Sequence, residues 1–207
     1  VHYVRRISNA YYNMALEKAH VRDLSGAVLV LRKSLQFNKY NTNARNLLGL
    51  IYNEMGETVA ALSEWVLSRF FQPENNRAGR YIDIIRKNQT ALDAVNQTIK
   101  KYNSALAAAK GGNEDLAVIQ LKKVVSLNPK FIRAHQLLAL LYMKNKEFAK
   151  AAKCLKRARK IDFNNTTTLR YMQEIGDTFN STEKTRESAA RAYKQQVKKD
   201  PLANVQP

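Results

Sequence analysis

TNARNLLGLIYNEMGETVAALSEWVLSRFFQPEN, residues 42–75, is the stretch on which the reading of this chain turns. Leu48-Gly49 is followed three residues later by Tyr52, then by Gly56-Glu57, Ala61, Trp65, Ser68 and finally Pro73. Apolar and small residues three and four apart on either side of a Gly-Glu break are the mark of two amphipathic helices joined by a short turn. A second stretch, from Ile132, repeats the pattern. It has Leu138-Ala139, Tyr142, Lys146-Glu147-Phe148, Ala151, Leu155 and Ala158, and it closes on Asp162-Phe163.

The spacing recurs along the chain. Ala27 and Ala61 stand 34 residues apart, as do Ser34 and Ser68, Asp23 and Glu57, Ala117 and Ala151, Leu121 and Leu155, and Val124 and Ala158. Asn128-Pro129 closes one unit as Gln72-Pro73 closes another. The small residues fit where two helices cross closely, and Trp65, Tyr142 and Leu155 fill the space between neighbouring units. One helix pair cannot bury its apolar face alone, so such units must stack. Trp65 is accordingly expected to be buried.

These motifs resemble the tetratricopeptide-repeat (TPR) pattern, with L-G-x-x-Y in the first helix, A-x-x-x-F in the second, a Pro exit and a period of about 34 residues. The resemblance implies an all-α, right-handed helical-repeat solenoid of antiparallel helix pairs. The register places units at about 8–41, 42–75, 98–131 and 132–165, with a degenerate or capping pair over 166–200. In that last pair Leu169, Met172 and Ile175 mark the first helix, Ala189, Tyr193 and Val197 the second, and Asp200-Pro201 the exit. Two arrays are expected, an N-terminal one over 1–97 and a C-terminal one over 98–207. Between them, Ile85, Leu92, Val95, Ile99, Tyr102 and Leu106 keep helical spacing. The simplest reading is one helix from about Ala78 to Ala109. The alternative is a break near Asn88, with Thr90 as N-cap and Asp93 three residues on.

Composition agrees with helices. Of 207 residues, 45% are hydrophobic, and 7 Gly and 4 Pro are too few turns for a many-stranded sandwich or barrel. The longest apolar stretch, Leu137 to Met143, falls far short of the roughly 20 residues of a membrane span. No signal-peptide pattern is seen at Val1–Arg6. The absence of an initial Met and the linker-like tail from Leu202 to Pro207 read as a fragment of a longer chain. The single Cys154 excludes an internal disulfide and is a weak pointer to a reducing compartment, so a cytoplasmic location is expected.

The inventory of chemistry is short. His2, His20 and His135 stand in no metal-binding spacing, and no metal ion or cofactor is expected. There is no Gly-rich phosphate loop. Gly111-Gly112 followed by Asn113 reads as a turn between helices. Cys154 lies among Ala151, Leu155 and Ala158 and reads as a packed side chain rather than a nucleophile. No nucleophile-elbow motif is present. The chain reads as a non-catalytic scaffold that binds a protein or peptide.

In the family the resemblance names, the first helix of each pair lines the concave face and carries most ligand contacts. By register, the groove candidates are Asn9, Tyr12, Asn43, Asn46 and Asn53 in the first array. In the second they are Tyr102, Asn103, Arg133, Gln136, Lys144 and Arg170. Asn is a poor helix-interior residue, and its amide can both donate to and accept from a peptide backbone. A solvated polar face is the plain alternative. The full Lys/Asn/Arg set by which some relatives clamp a chaperone's terminal carboxylate is missing.

Charge offers a second surface. The formal net charge is +18, and residues 76–165 hold 19 basic against 6 acidic side chains. Lys146, Lys150, Lys153, Arg157 and Lys160 step by three and four, which puts them on one helical stripe opposite Phe148, Ala151, Leu155 and Ala158. Such a stripe serves as a solvated face, as a site for an acidic protein or anionic membrane surface, or as a binder of RNA or DNA. The aromatics that usually interleave with basic residues in nucleic-acid modules are absent from it.

Overall fold

The computed structural model describes residues 2–178, and all regular elements among them are helices. The expected second helix of the 166–200 pair lies outside the described residues. Four antiparallel helical hairpins make up most of the molecule. The first two pair α1 (His2–His20) with α2 (Leu24–Phe37), and α3 (Thr42–Glu54) with α4 (Thr58–Phe71). After α5 (Ala78–Arg86), α6 (Gln89–Lys110) pairs with α7 (Glu114–Leu127), and α8 (Ile132–Lys144) with α9 (Phe148–Ile161). A further helix, α10, occupies 166–178.

Local chemistry sets the ends of these helices. Asp23, Asn41, Asn88 and Asn113 each accept a hydrogen bond from the backbone N–H three residues on, at 2.9–3.2 Å. Within the hairpins the turns pass through the left-handed region at Arg22, Gly56, Gly112 and Lys146, with φ of 58°, 77°, 79° and 59°. Positions 22 and 56, and 112 and 146, are again 34 apart, so the backbone repeats in the register that the apolar residues predicted. The small positions do as expected too. Ala27, Ser34, Ala61, Ser68, Ala117, Ala151 and Ala158 are fully buried at helix crossings. Leu31, Leu48, Leu121 and Leu155 fill the layers between hairpins, each contributing about 1.5–3 kcal/mol by burial. Trp65 is 2% exposed. Its ring lies on Gly49, where any Cβ would meet Nε1 at 2.2 Å, and its indole N–H donates to the Asn46 carbonyl at 3.2 Å.

Two expectations need correction. The preferred single helix over 78–109 is broken at Lys87-Asn88, where α5 ends and the Asn88 side chain caps α6 by accepting from Ala91 N at 2.9 Å. The cap is Asn88, not Thr90, because its short carboxamide reaches the free N–H from an extended backbone. Lys146 is the second correction. It does not sit on the helix of the basic stripe but in the turn before α9, at positive φ.

The chain also folds back on itself. The α1–α2 turn meets the α9–α10 loop. There the Asp162 carboxylate, fully buried, accepts from Leu24 N at 3.0 Å and Ser25 N at 3.2 Å. Phe163 N donates to the Arg22 carbonyl at 3.0 Å, and the Arg22 guanidinium donates to the Ile161 carbonyl at 3.0 Å. Further along, the α3–α4 turn meets the α7–α8 loop. Asn128 Nδ2 donates to the Gly56 carbonyl at 2.9 Å, Lys130 pairs with Glu54 at 2.8 Å, and Arg133 pairs with Glu57. The hairpins after the break therefore run back along those before it, edge against edge. Gly56 permits the approach, since a Cβ there would lie 2.6 Å from the Phe131 backbone.

Candidate functional site

The first-helix residues singled out from the sequence fall into two recesses. Tyr12 of α1 and Asn43 and Asn46 of α3 line one of about 450 Å³, together with Leu47, Gln72, Asn75, Asn76 and Tyr81. α3 presents Asn43 and Asn46 side by side because its apolar residues, Ala44, Leu48 and Ile51, are taken up by the core. The segment after α4 closes the recess. Asn76 accepts from Asn46 Nδ2 at 2.9 Å and donates to Ser68 Oγ and the Gln72 carbonyl, each at 3.0 Å. The Asn46 Oδ1 atom is buried there with no hydrogen-bond partner. An amide carbonyl so placed costs about 1–3 kcal/mol unless a ligand or water donates to it.

Tyr102 and Asn103 of α6 and Arg133 of α8 line a second recess, of about 230 Å³. It lies between the two halves of the fold, because Gly56, Glu57, Thr58 and Val59 form its opposite wall. The Tyr102 and Phe131 rings stand 4.8 Å apart. Burial pushes the Tyr102 phenol above its ordinary pKa, against the lowering influence of Arg133. Arg133 is spoken for. Its guanidinium is held by both Glu57 oxygens, which raises its own pKa, and it lies 5.6 Å from the Phe131 ring.

The remaining groove candidates are scattered. Asn9 is exposed on α1 and accepts from Asn41 Nδ2 at 3.1 Å. Asn53 is half-buried on α3 and lines neither recess. Gln136 donates to Asn165 Oδ1 at 2.7 Å and Thr168 Oγ1 at 2.9 Å, joining α8 to α10. Lys144 pairs with Glu114, and Arg170 with Glu174 at 3.7 Å. The basic residues Lys150, Lys153, Arg157 and Lys160 are exposed along α9, with Lys150 held by Glu147, which raises its pKa. Sequence reasoning missed Gln72, Asn75 and Asn76. The amide-rich run Gln72–Asn76 carries the signal for them, although only Gln72-Pro73 is read there, as a unit exit. It also missed Thr98 and Glu57, which reach the second recess only through packing.

Two titratable groups elsewhere are buried in the core. Cys154 is buried on α9, and desolvation raises its thiol pKa. His135, 1% exposed, donates from Nε2 to the Pro129 carbonyl at 2.8 Å, while its Nδ1 has no partner. Burial lowers its pKa.

The geometry defines a helical-repeat solenoid, a class whose stacked units offer extended binding surfaces. Residues 100–172 match the tetratricopeptide-repeat family model, and the chain carries tetratricopeptide repeats there. No curated protein matches the chain. Similar solved structures include MamA, 22% identical over 75% of this chain and 91% of that one, with a TM-score of 0.37. The P58(IPK) TPR domain is 15% identical over 95% of this chain and 61% of that one, with a TM-score of 0.46. YrrB, described as a TPR protein with an unusual peptide-binding site, is 18% identical over 79% of this chain and 90% of that one, at 0.36. Among the described residues, no helix is long and apolar enough to cross a membrane.

Proposed function

We propose that the chain is a non-catalytic protein-interaction scaffold, of cytoplasmic location and organised as arrays over 1–97 and 98–207, that holds an extended peptide segment on its first-helix face. The observation that carries this reading is the amide recess, where Asn43, Asn46, Gln72, Asn75 and Asn76 converge and Asn46 Oδ1 lacks a donor. A peptide backbone supplies N–H donors and C=O acceptors at the spacing such amides meet. Tyr12 and Tyr81 add apolar walls for the side chains between them.

The test is a selection of peptides from a displayed random library, followed by affinity measurement by fluorescence anisotropy. Each direct amide bond contributes about 0.5–1.5 kcal/mol. Asn43→Ala with Asn46→Ala should therefore weaken a selected peptide by about tenfold or more. The rival reading places an acidic protein, an anionic membrane surface or RNA on the exposed α9 face. It is tested by reversing Lys150, Lys153 and Arg157 to Glu. If binding survives loss of the amides and disappears with that reversal, the groove reading is wrong.

A further inference from the structure

The recess between the two halves of the fold has a feature that packing alone leaves unexplained. Val59, Val95, Ile99, Tyr102 and Phe131 give it apolar walls. Thr98, also in its lining, is 3% exposed, and its hydroxyl has no hydrogen-bond partner. A helical Thr commonly satisfies its hydroxyl on the carbonyl of the preceding turn, but Thr98 does not. At about 230 Å³ the recess is smaller than the 300–1,000 Å³ of sites for drug-sized ligands, so a single ring or side chain is the scale of occupant it suits. At the mouth, the Arg133 charge is neutralised by Glu57. That arrangement offers no free cation to an anionic ligand.

We propose that this recess binds a neutral phenolic ring, the side chain of a tyrosine on a partner segment, with the ring against Tyr102 and Phe131 and the hydroxyl bonded to Thr98 Oγ1. The Thr98 hydroxyl is already closed off from water and unpaired, and a purely aliphatic or benzyl occupant would leave it so. A phenol both fills the apolar volume and supplies the missing donor or acceptor. The pocket exists only while the two halves are closed, since Gly56, Glu57, Thr58 and Val59 come from one and the remaining walls from the other. Occupancy therefore stabilises the folded-back form by mass action. The partner's being a peptide rests on the scaffold reading above; the ring chemistry does not.

The experiment titrates the full chain with 4-methylphenol and with toluene, its isostere without the hydroxyl, following amide and methyl NMR shifts. The expected result is saturable shifts at Val95, Ile99 and Tyr102, with 4-methylphenol favoured by about three- to tenfold, the worth of one net hydrogen bond. Thr98→Val should erase that preference. Val59→Trp, at a position 51% exposed and so tolerant of a larger residue, should block both probes. Equal affinity for the two probes, no saturable shift, or binding untouched by Val59→Trp overturns the proposal. Measuring 4-methylphenol on the Asn43→Ala, Asn46→Ala double variant keeps the two readings apart. Loss of library peptides with the phenol still bound keeps the amide recess and the phenol pocket as separate sites, and loss of the phenol on that variant overturns the phenol pocket as placed here.

Discussion

Asp162→Ala tests the folded-back arrangement at its most buried point. The carboxylate is fully buried and accepts from three donors: Leu24 N at 3.0 Å, Ser25 N at 3.2 Å and Asn165 Nδ2 at 3.1 Å. Two of these are free N–H groups at the start of α2, where a negative charge also meets the positive end of the helix dipole. Hydrogen bonds to a charged group contribute about 1.5–3 kcal/mol each. The Ser25 bond is longer and partly exposed, so it belongs at the low end of that range. The two backbone bonds alone should thus make alanine cost about 3–5 kcal/mol, a large share of the 5–15 kcal/mol by which a typical domain is stable. Asparagine retains one acceptor and should cost less. Urea unfolding gives the total, and amide hydrogen exchange at Leu24 and Ser25 locates it. A cost below about 1 kcal/mol, with exchange at those two amides unchanged, would show that Asp162 does not cap α2 in solution.

Other perturbations follow from the same contacts. Gly56→Ala places a Cβ 2.6 Å from the Phe131 backbone and strains a φ of 77°; small-angle scattering should show a more extended particle, and an unchanged profile would contradict the close edge contact. Trp65→Ala should cost about 3–5 kcal/mol by denaturant titration, and a loss under about 1 kcal/mol would put the indole at the surface. For His135, burial lowers the folded pKa below its ordinary value near 6.5. The unfolded chain then takes up the proton first, so stability should fall as pH drops below about 6.5 and level off once the folded pKa is passed. His135→Gln should flatten that part of the pH profile, and an equally steep profile in the variant would assign it to other groups.

Much of the fold is legible in residue order because repeats speak through local spacing. Ala27, Ala61, Ala117 and Ala151 mark close helix crossings wherever the chain places them, and the 34-residue period reappears as the left-handed residues 22, 56, 112 and 146. Burial of Trp65, Leu121 and Leu155 follows from that register alone. The break at Asn88 did not read clearly, since apolar spacing continues across it while a side-chain cap on one amide decides it. The groove residues were legible only as a face. Helical periodicity puts Asn43 and Asn46 together, but only the path of the chain after α4 brings Gln72 and Asn76 against them. Far longer in reach are the contacts of Asp162 with Leu24 and of Arg133 with Glu57, which lie 138 and 76 residues apart. No local pattern encodes them. They arise because the break at Asn88 turns the second run of hairpins back along the first, and complementary polar edges then meet.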